Sequence, residues 1–140
     1  MIFLDTSVLV SIAQVSHTHH RPSADLWNFL TQEETAVSTH TIAETYATLT
    51  AMPPSFRLAP MEVMIAIETF LKRLTPISLT PGEYMETLRR TAKLGHSSGM
   101  VYDALHLACA RKVSAQHIYT WNVKNFRSLA PDLSEKIRTP

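Results

Sequence analysis

The sequence is poor in cysteine and glycine, with one cysteine and three glycines among 140 residues. A single cysteine, Cys109, excludes an internal disulfide framework, and its apolar helical setting indicates a small core residue rather than a nucleophile. No apolar run is long enough to span a bilayer. The apolar start has no basic segment and is interrupted at Asp5, which argues against a signal peptide. We therefore expect a cytoplasmic protein with no membrane partner.

The sequence also has no large excess of positive or negative charge. Thirteen Lys and Arg residues against 12 Asp and Glu residues give a net charge of +1. A protein held on nucleic acid by charge alone is strongly basic, so any recognition of nucleic acid here must come from local basic patches and bound metal. The length and the hydrophobic content of 45% suit one domain, residues 1–140, with a core that needs no metal or disulfide to fold.

The chain opens with an apolar run, Ile2-Phe3-Leu4, that shows no alternation. Such a run is typical of a strand buried on both faces of a parallel sheet. Asp5, Thr6 and Ser7 follow at the carboxyl end of this strand, which is where open α/β folds bind their ligands. The alternative is that one of these three residues caps the next helix, since all three types are good N-caps.

Strands and helices alternate along the rest of the chain. Further strands are predicted at 36–38, 77–79 and 117–120, with a weaker signal for an edge strand near Ile137. Helices are predicted at 8–13, 23–32 with Ser23 as N-cap, 41–52, 60–74, 80–94 and 100–110. The broad apolar stripe of helix 60–74 includes Met61 and Met64, which we assign to the core rather than to a partner surface. This order predicts a three-layer α/β/α sandwich with a mostly parallel central sheet of four to five strands.

Two more acids are candidates for the same site. Glu44 is in a helix that follows a predicted strand, and Asp103 is in a helix that is predicted to be mostly buried. Glu44 is in the first turns of helix 41–52, near the edge of a packed face formed by Ile42, Tyr46 and Leu49. The helix dipole alone explains an acid at that position, so a favourable interaction with the dipole remains an alternative to a site. Asp103 lies in an alanine- and leucine-rich helix, where an unpaired carboxylate is unfavourable, and either binds a cation or forms an ion pair or cap. His106 is interpreted as a hydrogen-bonding or structural residue rather than a ligand.

Three carboxylates at one end of a sheet repel each other, by about 4 kcal/mol per pair at about 4 Å and an effective dielectric constant of about 20. Oxygen ligands without cysteine suit Mg²⁺ or Mn²⁺, and such an ion supports metal-assisted phosphodiester hydrolysis. The histidine cluster at 17–20 has no cysteine nearby and polar neighbours. We interpret it as a solvated loop rather than as a metal site.

Four segments resemble the PIN domains, and among them the VapC-type toxins of prokaryotic toxin-antitoxin pairs. The segments are FLDTSVLV, STHTIAETYATL, GMVYDALHLACA and IYTWNVKNF, and they occur in the order of the family over nearly the whole chain. The resemblance implies a metal-dependent endoribonuclease with Asp5, Glu44 and Asp103 as catalytic metal ligands and Asn122 as a fourth catalytic position. It also implies supporting roles for Thr6, Ser7, Thr120 and Asn125, an antitoxin that covers the site, and a homodimer.

The chain departs from the family at Asn122, where many members carry an aspartate. An amide ligates through its carbonyl oxygen but adds no charge, so we expect one tightly held ion. Lys124 and Arg127, beside the last segment, are candidates for contacts with RNA phosphates, with Arg57 in the proline-rich loop as a weaker one. Ordinary solvated surface charge is the alternative for all three.

Two competing functions remain open at this point. The first is a phosphohydrolase similar to the haloacid dehalogenases with Asp5 as nucleophile, although those enzymes carry a second aspartate where this chain has Ser7. The second is a PIN-like module that binds RNA or a protein without cleavage, which Asn122 favours and the three acids oppose. The sequence does not specify the RNA, because its recognition depends on surface shape and base stacking.

Overall fold

The computed structural model describes residues 1–140 and has a five-stranded sheet at its centre. The strands are β1 (Ile2–Leu4), β2 (Thr35–Ser38), β3 (Thr75–Ile77), β4 (His117–Tyr119) and β5 (Ile137–Arg138). All neighbouring strands are parallel, in the order β3-β2-β1-β4-β5, so the opening strand lies in the middle, which suits the predicted strand buried on both faces.

Seven helices connect and follow the strands. They are α1 (Thr6–Ala13), α2 (His20–Phe29), α3 (Thr39–Ala51), α4 (Pro60–Leu71), α5 (Pro81–Lys93), α6 (Met100–Lys112) and α7 (Val123–Leu129), with a short 3₁₀ turn at Pro131–Leu133. The three-layer α/β/α sandwich is thereby confirmed. None of the seven helices combines the length and the hydropathy that a membrane-spanning segment requires.

The central strand contributes to a separate core on each face of the sheet. Phe3 packs with residues of α6 and α7, whereas Leu4 packs with residues of α1 and with Phe70 of α4. Both side chains are fully buried. Successive strand residues point to opposite faces, so an apolar run without alternation is what a sheet covered on both faces requires.

The start of α5 follows its sequence signal closely. Thr80 is the N-cap, its hydroxyl accepts from the Glu83 backbone N–H at 3.2 Å, and the Glu83 carboxylate accepts from the Thr80 N–H at 2.6 Å. Pro81 occupies the first helical position, where its missing N–H is harmless. Gly95, with φ of 74°, follows the helix in the left-handed conformation that favours glycine.

The prediction for α2 is wrong at both ends. The helix begins at His20 rather than after Ser23, and it ends at Phe29. Ser23 is not a cap but a fully buried residue inside the helix, where its hydroxyl bonds to Ser11 and accepts from the Trp121 indole. Helix α7 was not predicted, because its apolar signal consists of little more than Phe126 and Leu129, both buried.

The predicted packed faces of α3 and α4 are also too broad. In α3, Leu49 is buried but Tyr46 is 37% exposed, and the inner face is made by Thr41 and Thr45. In α4, the core residues are Val63, Ile67 and Phe70. Met61 is 71% exposed and Met64 is at the surface as well, so the assignment of these methionines to the core is wrong. A helix that covers one side of a domain buries only one stripe.

Candidate active site

A polar cleft of about 640 Å³ lies at the carboxyl edge of the sheet. Asp5 directly follows β1, Glu44 lies in the helix after β2, and Asn122 comes just after β4. Asp103 reaches the same cleft from the first turn of α6. The residues lining the cleft include Asp5, Thr6, Ser7, Glu44, Asp103 and Asn122, together with His17, Thr18, His19 and Trp121. The chain therefore brings the three predicted acids and Asn122 to one place.

Asp5 is almost fully buried, with 4% of its surface exposed. Its Oδ2 accepts from the Ser7 hydroxyl at 2.6 Å, the Ser7 N–H at 3.2 Å and the Thr120 hydroxyl at 2.9 Å. Asp5 is thus both the N-cap of α1 and a wall of the cleft, so the two interpretations of this residue are compatible. Its other oxygen, Oδ1, lies 3.7 Å from Nε2 of His106.

Glu44 is held by hydrogen bonds from two other elements. Its Oε2 accepts from the Thr6 hydroxyl and from Nε2 of His106, each at 2.7 Å. Burial raises the pKa of Glu44, but the hydrogen bonds from His106 and Thr6 and the charges of His106 and His40 together lower it below its ordinary value. Its Oε1 lies 3.7 Å from Nε2 of His40, whose ring stacks on Tyr102. Glu44 is therefore an ionised acid that is fixed through one oxygen.

Asp103 is held by two asparagines from the end of β4 and the first turns of α7. Its Oδ2 accepts from the Asn122 amide at 2.8 Å and the Asn125 amide at 3.3 Å. Both amides are oriented with their NH₂ groups towards Asp103, because an ionised carboxylate only accepts hydrogen bonds. Burial and the neighbouring charge of Asp5 raise the pKa of Asp103 from 3.8 to about 6. The two neutral amide donors therefore balance only part of the negative charge of the Asp103 carboxylate.

His106 is a hydrogen-bonding residue of the cleft, as interpreted from the sequence. It is fully buried, and its Nδ1 faces the Ser38 hydroxyl at 2.8 Å while Nε2 bonds to Glu44. Burial lowers the pKa of His106, but the Glu44 hydrogen bond and the nearby acidic charges raise it above its ordinary value. The available signal was its position three residues after Asp103, which puts both side chains on one face of α6.

The donor chemistry of the cleft fits a hard divalent cation. Asp5, Glu44 and Asp103 each use one oxygen for donors from the protein and keep the other free of such bonds. The set is all oxygen, as Mg²⁺ and Mn²⁺ prefer. No three acidic, histidine or cysteine side chains converge closely enough to enclose an ion. An open set of this kind suits an ion that keeps several of its waters.

The predicted cationic residues are not gathered in the cleft. The Arg57 side chain donates from Nε to the Met52 carbonyl at 3.0 Å, in a separate hollow beside α3. Arg127 donates to the Ile137 carbonyl at 3.0 Å and so ties α7 to β5. Lys124 is exposed at the start of α7, close in sequence to Asn122. Of the three, only the Lys124 side chain has no hydrogen bond to the rest of the chain, and it lies two residues after Asn122 of the cleft.

The histidine loop before α2 also borders the cleft, which the sequence did not indicate. His17 and His19 line it, and the His19 ring stacks on Trp121 with 3.8 Å between centroids and 7° between planes. The interpretation of this segment as a solvated loop is therefore wrong for His17 and His19. No local signal exists for this contact, because the two partners are joined only when β4 is placed beside β1.

Comparisons with known proteins agree on one family. The sequence model of the PIN domain matches residues 2–130. Ribonuclease VapC27 of Mycobacterium tuberculosis is 33% identical over 114 residues, which is 81% of this chain and 79% of that protein. Among solved structures, VapC20 of Mycobacterium tuberculosis, a sarcin-ricin loop cleaving toxin, has a TM-score of 0.74 at 18% identity, covering 89% of this chain and 92% of its own. A toxin-antitoxin complex from Klebsiella pneumoniae has a TM-score of 0.68 at 16% identity, covering 100% and 98%.

Proposed function

Because this chain belongs to the PIN domain family and to its VapC group, we propose that it is a metal-dependent endoribonuclease and the toxin of a type II toxin-antitoxin pair. The observation that carries the proposal is the cleft in which Asp5, Glu44 and Asp103 come together, each with one oxygen not bonded to protein donors. The substrate is RNA, and the partner is an antitoxin that covers this cleft. We place the protein in the cytoplasm as a homodimer.

The chain's own residues act by holding the acids in fixed orientations. A bound Mg²⁺ or Mn²⁺ supplies positive charge for the phosphodiester oxygen and lowers the pKa of an attacking water. Asp5, Asp103 and Glu44 would hold that ion, supported by Ser7 with Thr120, Asn122 with Asn125, and His106 with Thr6. Acids that are oriented before substrate arrives need little reorganisation during the reaction.

The cleavage test uses purified, antitoxin-free protein and total RNA, with Mg²⁺ or Mn²⁺ and with EDTA, and sequencing of the new 5′ ends. We expect discrete cuts that require metal and disappear in Asp103→Asn. The matched control is Asp25→Asn, which makes the same change at an exposed acid of α2 and should cut as the wild type does.

The outcome also separates the proposal from its rivals. RNA that stays intact with folded wild-type protein and metal would refute the ribonuclease and favour a PIN-like module that binds without cleavage. A phosphorylated Asp5 intermediate would indicate the phosphohydrolase instead. The structure offers that chemistry little support, because Ser7 stands in the position of the second acid and donates to Asp5.

A further inference from the structure

The His19–Trp121 pair, called here the aromatic wall, stands in the same cleft as the three acids. We propose that the aromatic wall is a subsite for an unpaired nucleobase of the RNA, next to the phosphate that the acids address. The inference rests on the proposed function and deepens it, because it names the side chains that would contact a base beside the cut.

The geometry of the wall is that of a stacking platform. The two rings are parallel and stacked on each other, with 7° between planes and 3.8 Å between centroids, so each covers one face of the other and a base would extend the stack on an outer face. Both residues line the cleft, and neither is fully buried. Proteins that recognise unpaired RNA stack its bases on aromatic and histidine rings in this way. A base in a duplex already has its neighbours on both faces and is not available for this contact.

Hydrogen bonds hold the wall rigid. The Trp121 indole N–H donates at 3.0 Å to the hydroxyl of Ser23, which is fully buried. The His19 backbone N–H donates at 3.1 Å to Nδ1 of His17, which fixes the loop that carries the ring. A platform that is ordered before binding loses little side-chain entropy when a base stacks on it.

The same network joins the wall to the acids. The Trp121 backbone N–H donates at 2.9 Å to the Ser7 hydroxyl, and that hydroxyl donates at 2.6 Å to Oδ2 of Asp5. A base on the wall is therefore held close to the catalytic carboxylates by a short series of contacts. This connection places the subsite at the nucleotide that flanks the cut rather than at a remote part of the RNA.

Few basic side chains are placed to hold RNA in the cleft through attraction to phosphate, which is the alternative to base stacking. The net charge is +1, Arg57 and Arg127 bond to backbone carbonyls outside the cleft, and Lys124 is exposed at the start of α7 without lining the cleft. The residues that line the cleft include three acids and no lysine or arginine. Stacking is then the contact that this chain can make with a nucleotide beside its acids without relying on attraction to phosphate.

The test measures binding in EDTA, so that no strand is cut, using fluorescently labelled RNA strands of about 12 nucleotides. The probes are an oligoadenylate, an oligouridylate, each in duplex with its complement, and an abasic strand with the same backbone. The variants are Trp121→Phe and Trp121→Leu, which both lose the bond to Ser23 while only leucine loses the aromatic face. His19→Phe and His19→Leu form the second pair, and Trp27→Phe changes the tryptophan outside the cleft.

We expect both leucine variants to bind the single strands about 5- to 100-fold more weakly, with the phenylalanine variants close to the wild type. The abasic strand and the duplexes should bind equally weakly to all of them. Equal loss in the leucine and phenylalanine variants, equal loss on the abasic strand, or no binding of either single strand by the wild type would overturn the subsite. Loss of antitoxin binding alone would also overturn it and assign the wall to the protein partner.

The experiment distinguishes failure of the proposed subsite from failure of the proposed ribonuclease function. If the wild type stacks single strands but cleaves no RNA with Mn²⁺, the ribonuclease fails and the subsite stands. If it cleaves and the leucine variants bind and cleave as before, the subsite fails and the ribonuclease stands. Melting temperatures of all variants identify any that have lost their fold.

Discussion

At the scale of single residues, the cleft contains three acids whose hydrogen bonds from the protein reach only one of the two carboxylate oxygens. Asp5, Glu44 and Asp103 receive protein donors on one oxygen and leave the other without them. Leaving buried carboxylates in this state is unfavourable unless a cation completes them. Burial and the neighbouring charge of Asp5 raise the pKa of Asp103 to about 6. The first two predictions concern this acid.

Asp103→Asn should stabilise the metal-free protein at neutral pH. The pKa of Asp103 is raised from 3.8 to about 6, so the folded chain binds the proton more tightly than the unfolded chain does. Stability from this group is therefore present at low pH and is lost as the pH rises towards about 6. The full shift corresponds to about 3 kcal/mol, which solvent screening at this partly exposed group reduces to about 1 kcal/mol.

Thermal melting in EDTA across this pH range provides the measurement. The melting temperatures of the variant and the wild type should separate as the pH rises and differ by a constant amount at higher pH. Adding Mn²⁺ should reverse the order, because only the wild type keeps the full set of acids. Identical melting curves at neutral pH in EDTA would contradict the prediction.

Asn122→Asp should strengthen metal binding and weaken the metal-free fold. The change replaces an amide that donates to Asp103 at 2.8 Å with a like charge at the same place. A divalent cation removes that repulsion, so we expect Mn²⁺ to bind at least about tenfold more tightly. Isothermal titration calorimetry measures this affinity, with Asn28→Asp on the exposed side of α2 as the matched control. Unchanged affinity and stoichiometry would show that Asn122 lies outside the metal site.

At the scale of secondary structure elements, α7 connects the cleft to the core. It carries Asn125 and follows Asn122, while Phe126 is fully buried against the same core as Phe3 of β1. Arg127 ties this helix to β5. A helix of only seven residues depends on its buried side chains for its position. The packing of Phe126 therefore determines where Asn122 and Asn125 lie.

Phe126→Ala should lower the free energy of unfolding by about 3–5 kcal/mol, the usual effect of deleting a buried phenylalanine. Phe29→Ala is the matched control, since that phenylalanine is 83% exposed and its loss should change stability by less than about 0.5 kcal/mol. Urea unfolding of both variants provides the comparison. Similar stabilities for the two would show that α7 contributes little to the core.

At the scale of the whole molecule, one parallel sheet places Asp5, Glu44 and Asn122 at one edge. The loops after β1, β2 and β4 meet there because parallel strands all end on the same side. The two cores on either face of the sheet share the central strand β1. We therefore expect the chain to unfold as one unit, and metal at the edge to stabilise all of it.

Mn²⁺ should raise the temperature of a single cooperative unfolding transition. At a concentration of about 100 times the dissociation constant, a ligand that binds only the folded chain adds about 2.7 kcal/mol of stability. For a chain of this size that corresponds to a rise of roughly 5–15 °C. Differential scanning calorimetry should show the rise in the wild type and in Asp25→Asn but not in Asp5→Asn. Two separate transitions would contradict the single domain.

The alternation of strands and helices and the start of α5 were predictable because their signals are local. Thr80, Pro81 and Glu83 specify a helix start within four consecutive residues. The placing of Asp5 at the end of a buried strand was predictable in the same way. The face of α4 was not, because Met61 and Val63 have similar hydrophobicity and only the position of the neighbouring layers decides which one is buried.

The sequence alone therefore determined the α/β class, the central position of β1 and the edge at which the acids gather, since each depends on periodicity and strand order. Tertiary structure alone decided the bond between His106 and Glu44, the burial of Ser23, the tie from Arg127 to β5 and the aromatic wall. The physical reason is that these contacts join residues far apart in the chain. Their geometry is set by how the layers pack, and no local propensity encodes it.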